Sequence, residues 1–66
     1  MQVTVNGDIV QLDDNASLID LLSQLQLADA KIAVELNHAI VSRSQYRDQA
    51  LKDNDQLEIV HAIGGG

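Results

Sequence analysis

Leu57-Glu58-Ile59-Val60-His61-Ala62-Ile63-Gly64-Gly65-Gly66 is the stretch whose reading decides the fold. Its first six residues read as a strand, and that strand runs through Ile63 into three glycines. Glycines have no side chain to bury and leave the backbone very free, so this run adds nothing to a core. What it offers is reach and thinness. Such a backbone passes through a channel too narrow for other residues, and Gly66 is expected to present a free α-carboxyl group at its far end. A frayed end is the plain alternative, and the rest of the chain decides between the two.

Working outward, Asp53-Asn54-Asp55 is a turn that feeds the last strand. At the other end, Met1, Val3 and Val5 alternate with Gln2, Thr4 and Asn6, the period of a half-buried strand. Asn6-Gly7 marks a tight hairpin, because both residue types tolerate positive φ. Ile9 to Leu12 form the returning strand, stopped by Asp13-Asp14-Asn15. From Ser17 the period changes. Leu18, Leu21, Leu22 and Leu25 fall at i, i+3, i+4 and i+7, the apolar stripe of a helix expected to reach about Gln26. Ser17 is its N-cap and Asp20 answers as an approximate capping box. Alternation returns over Lys31 to Asn37, with Ile32, Val34 and Leu36 on one face, then a turn at Asn37-His38 and a brief strand at Ile40-Val41. Residues 42–52 are polar, tied down by Tyr46 and Leu51.

Two strands, a helix and two or three further strands predict an α+β roll of the β-grasp type: a mixed sheet of four to five strands packed on one helix. The first and last strands lie side by side and parallel in its middle. Residues 1–62 form the domain and 63–66 a flexible tail.

Composition narrows the function classes. Sixty-six residues make one domain, near the lower limit for a single core. With no cysteine there is no disulfide, thiolate metal site or thiol nucleophile. His38 and His61 have no partners at ligand spacing, so no metal is expected. Asp53-Asn54-Asp55 lacks the glycine and glutamate of a calcium loop. Ten acidic against four basic residues give a formal charge of −6, which argues against nucleic acid and favours a partner surface carrying lysine or arginine. Neither a basic leader nor a membrane-length apolar run is visible, so no membrane contact and a cytoplasmic location are expected.

With tail and element order in hand, the chain resembles the thiamine-biosynthesis sulfur carriers, a family of small ubiquitin-like proteins. The resemblance runs the whole length. It is carried by Met1-Gln2-Val3-Thr4-Val5-Asn6-Gly7, Ala33-Val34-Glu35-Leu36-Asn37, Ile40-Val41-Ser42-Arg43, and Asp53 through Gly66. Two positions depart from the family pattern: Ser42 stands where proline is frequent, and Asn54 where glycine is frequent. Neither touches the tail.

The resemblance implies a chemistry. The Gly66 carboxylate is an anion at neutral pH and a poor electrophile. A separate adenylating enzyme, similar to ubiquitin-activating enzymes, is expected to join it to AMP using ATP. A sulfur donor such as a cysteine desulfurase then displaces AMP and leaves a thiocarboxylate, whose sulfur passes to thiazole synthase. The carrier binds no cofactor of its own and is a protein substrate, not an enzyme. Gly66 is therefore the expected reacting residue and Gly64 and Gly65 its passage. Val60 and Ala62 are expected on the sheet face away from the helix as a docking patch, and Ile63 at the entrance to a partner's channel. The small subunit of molybdopterin synthase shares this fold and chemistry but is usually longer. A ubiquitin-like protein modifier forming isopeptide bonds through Gly66 is a second alternative. A hydrolase lacks any convincing Ser, His and acid arrangement.

Overall fold

Asn6 and Gly7 take φ of 50° and 88°, the left-handed pair that a two-residue hairpin needs. They join β1 (Gln2–Val5) to β2 (Asp8–Gln11), antiparallel with Val3 opposite Val10 and Val5 opposite Asp8. These observations come from a computed structural model that describes residues 1–62.

The helix α1 (Leu18–Gln24) begins as its sequence demands. The Ser17 N–H donates to Asp20 Oδ2 at 2.9 Å, and the Asp20 N–H donates to Ser17 Oγ at 3.4 Å, which completes the capping box. The two remaining N–H groups of the first turn find partners in the polar segment. Leu18 donates to the Gln49 carbonyl at 2.8 Å and Ile19 to the Tyr46 carbonyl at 3.0 Å. Residues 42–52 therefore cap the helix as well as covering the core. Seven residues are too few for a helix to hold by propensity; the burial of Leu18, Leu21 and Leu22 holds it.

The helix stops at Gln24, two residues short of the Gln26 expected from the apolar stripe. The reason is Gln26 itself, at φ 62°. Its N–H donates to the Ser23 carbonyl at 3.1 Å, and the Leu27 N–H reaches back to the Leu22 carbonyl at 2.7 Å. This pair of bonds closes a helix around a left-handed residue, a place usually taken by glycine.

Next come β3 (Ile32–Leu36) and β4 (Ala39–Val41), joined by Asn37 and His38 at φ 50° and 72°. A short 3-10 helix (Arg43–Gln45) follows, and then β5 (Gln56–His61). The sheet runs β2-β1-β5-β3-β4. As the element order predicts, β1 and β5 pair in parallel, with Val5 beside Leu57. On its other side β5 is antiparallel to β3 from Leu36↔Leu57 to Ile32↔His61.

Val3, Val5, Val34, Leu57 and Ile59 meet Leu18, Leu21 and Leu22 in one core, closed by Leu12, Val41, Tyr46 and Leu51. Tyr46 and Leu51 are the anchors that the polar segment needs. At the turn into β5, Asn54 adopts φ 71°, a left-handed conformation that asparagine tolerates better than most residues with a Cβ. Asp55 is buried there, its carboxylate accepting from Asn37 Nδ2 at 2.9 Å and from the Lys52 N–H at 2.7 Å. The strand that leads to the tail thus starts from a fixed point.

Candidate functional site at the end of the central strand

Alternation along β5 decides which side chains are available. Leu57 and Ile59 turn inward and are buried, while Gln56, Glu58 and Val60 point to the open face of the sheet. Val60 is 59% exposed, although it is an aliphatic residue on the central strand. Pairing then sets its neighbours. Ala33 lies opposite Val60, and Glu35 lies opposite Glu58 on one side and Ile40 on the other. Ile40 is 80% exposed; across the sheet Ile9, opposite Thr4, is 63% exposed. A shallow depression of about 410 Å³ is lined by Thr4, Asn6, Glu35, His38, Glu58 and Val60, among others.

Two features of this face have chemical meaning. Three large aliphatic side chains stand in water, where each would gain from being covered. Glu35 and Glu58 are like charges directly opposite one another, an arrangement that destabilises a strand pair. A partner bringing apolar groups and a lysine or arginine would relieve both.

Ala62 is exposed just beyond β5, and its N–H donates to the Lys31 carbonyl at 2.9 Å. The structure brings Val60 and Ala62 to the last turnings of the same strand edge. Ile63, Gly64, Gly65 and Gly66 lie outside the described residues. Among the described residues, no three His, Asp or Glu side chains form a group that could hold a metal ion. No helix among them is long and apolar enough to cross a membrane.

Ile9, Ile40 and the Glu35–Glu58 pair are parts of this face that residue-by-residue reading does not reach. Alternation alone puts Glu35 opposite in sense to Val34, but only the pairing of β3 with β5 sets it beside Glu58. Ile40 follows directly before buried Val41, which is the only signal of its outward direction.

The fold defines a class, the small ubiquitin-like β-grasp domains, and here the last strand carries an open face that is apolar and acidic. Comparison with known proteins is specific. The ThiS family model matches residues 2–66, and the chain belongs to that family. The sulfur carrier protein ThiS of Bacillus subtilis is 38% identical over 63 residues, covering 94% of this chain and 96% of that one. The crystal structure of thiamine biosynthesis protein ThiS from Geobacter metallireducens has a TM-score of 0.84 at 35% identity, with all of both chains covered. The chain is also 42% identical over 66 residues to a thiazole synthase of Magnetococcus marinus, of whose length it spans only 20%.

Proposed function

We propose that this chain is a sulfur carrier for thiamine biosynthesis, with the Gly66 carboxyl group as the site of chemistry. The observation that carries this reading is the match to the ThiS family across residues 2–66, a span that includes the glycine run. The carboxylate oxygen attacks the α-phosphate of ATP on an adenylating partner, pyrophosphate leaves, and the terminus becomes an acyl adenylate. The outer sulfur of a persulfide on a donor such as a cysteine desulfurase adds to the acyl carbon and AMP departs, leaving an acyl disulfide. A thiol then cleaves its S–S bond, forming a disulfide with the donor and releasing the terminus as a thiocarboxylate. Thiazole synthase takes that sulfur. The likeness to a stretch that makes up 20% of a thiazole synthase supports this partner, since a sequence similar to this chain is joined to the rest of that protein.

In this reading the chain is a substrate and not an enzyme, and ATP is bound by the partner. Val60, Ala62 and Ile63 contact the partner, while Gly64 and Gly65 thread its channel. The open face supports the assignment chemically: apolar groups supply area, and Glu35 with Glu58 select a cationic partner surface.

The test is ATP–pyrophosphate exchange catalysed by an adenylating enzyme of this family, with the full chain and a variant lacking Gly66. Exchange with the full chain and none with the shortened one is the expected result. Exchange at the full rate by a chain ending at Gly65 would refute Gly66 as the reacting residue. Gly65→Ala should slow exchange, because its Cβ would stand where the backbone must be threaded.

A further inference from the structure

The pairing of β1 with β5 ends at Val5↔Leu57, because the chain turns away at Asn6 to make the hairpin. The Asn6 main-chain N–H still donates to the Leu57 carbonyl at 3.0 Å. Its side chain then does something further. Asn6 Nδ2 donates to the Ile59 carbonyl at 2.9 Å, and the Ile59 N–H donates to Asn6 Oδ1 at 2.9 Å. A carboxamide carries the same donor and acceptor as a peptide unit. The Asn6 side chain therefore extends the parallel ladder by one step after the backbone of β1 has left it.

Ile59 is the residue before Val60 and four before Ile63. On the far side, β3 holds β5 to Ile32↔His61, and the Lys31 carbonyl holds Ala62. On the β1 side, among the described residues, the Asn6 carboxamide is what holds β5 beyond Leu57. A strand end held on both edges has fewer conformations to lose on docking than one held on a single edge.

We propose that Asn6 is a positioning residue. Its carboxamide tethers the end of β5, and so fixes the platform from which Val60 and the C-terminal residues meet the activating partner. This rests on the functional reading above, and Asn6 itself touches no reacting atom.

Glycine is the informative substitution, because Asn6→Gly accepts φ 50° freely and so preserves the turn while deleting both side-chain bonds. Asn37→Gly is its control. Asn37 also sits at φ 50° and also makes two side-chain bonds, to Asp55 and to the Gln56 N–H, but at the other end of β5. Each variant deletes two side-chain bonds, so both should lose comparable stability. In Asn6→Gly the amides of Val60 and Ala62, which face β3 and are not bonded to Asn6, should exchange with solvent about tenfold faster. In ATP–pyrophosphate exchange the apparent KM for Asn6→Gly should rise severalfold with kcat within about twofold, while Asn37→Gly keeps the wild-type KM.

Unchanged exchange at Val60 and Ala62, or the same KM for the two variants, would overturn the proposal. If Asn6→Gly does not fold, Asn6→Asp serves, since it keeps the acceptor for the Ile59 N–H and puts a carboxylate oxygen, which repels the Ile59 carbonyl, where the donor stood; the same outcomes decide. Failure of the wild-type chain to support ATP–pyrophosphate exchange would refute the functional reading alone. Amide exchange would then judge the tether by itself.

Discussion

Gln26 shows how a single residue can carry a penalty in an otherwise consistent fold. Its left-handed backbone closes the helix through the Ser23 and Leu22 carbonyls. For a residue with a Cβ that conformation costs ~1–2 kcal/mol, against ~0.5–1 for the chain entropy of glycine. Gln26→Gly should therefore stabilise the protein by about 0.5–1 kcal/mol, read as a higher urea midpoint with an unchanged slope. At the N-terminus, the Met1 ammonium donates to the Leu12 carbonyl at 2.7 Å and to Asp14 Oδ1 at 2.9 Å. The bond to Asp14 raises the amine above its ordinary value of 8.0. The same bond, with the ammonium's charge, holds Asp14 below its ordinary 3.8. A raised amine contributes stability that is complete below 8.0 and is lost as pH rises through its folded value. A depressed carboxyl contributes stability present above 3.8 and lost as pH falls through its folded value. Asp14→Asn should thus lower the melting temperature near pH 6, with the difference shrinking toward both strong acid and strong base. A difference that stays constant across that range would show that the ion pair contributes nothing.

At the scale of elements, β5 has two duties: Leu57 and Ile59 complete the core, and Val60 is left to the open face. Val60→Asp should lower stability by no more than about 1 kcal/mol, the cost of a poor strand former beside two carboxylates on an exposed face. It should weaken binding to the adenylating partner at least about tenfold, since it removes apolar contact area and adds a third carboxylate beside Glu35 and Glu58. A large fall in melting temperature would instead make Val60 part of the core. Most of this scale was legible in the sequence. The Asn6-Gly7 turn, the Ser17–Asp20 box, the leucine stripe and the inward Ile32, Val34 and Leu36 all follow from short-range periods and turn chemistry. What was not legible depends on residues far apart in the chain. The Glu35–Glu58 pair and the Asn6–Ile59 tether exist only after β5 has returned between β1 and β3. The helix ends short of the residue that the leucine stripe implies for a different reason. An apolar stripe continues through Leu25 regardless of where the backbone turns left-handed, and glutamine at 26 gives no turn signal.

For the whole molecule, the central strand of a β-grasp body carries an open apolar and acidic face and continues in sequence into Ile63 and a glycine run. Ile63, the large apolar residue between β5 and the glycines, belongs to this scale because we propose that it joins carrier to partner. Under that proposal, burial of its side chain in the partner would contribute roughly 1.5–3 kcal/mol. Ile63→Ala should therefore reduce affinity for the adenylating enzyme about tenfold or more while thermal unfolding barely moves. A shifted melting temperature with unchanged affinity would mean that Ile63 closes the carrier's own core. The central claim is that sulfur is carried at the Gly66 carboxyl group. Its most direct test is the intact mass of the protein purified from cells making thiamine, with fragmentation to locate any change. The account predicts a population in which one oxygen is replaced by sulfur, with the substitution confined to the C-terminal fragment containing Gly66. Sulfur located elsewhere in the chain, or a terminus found only in isopeptide linkage to lysine, would contradict it.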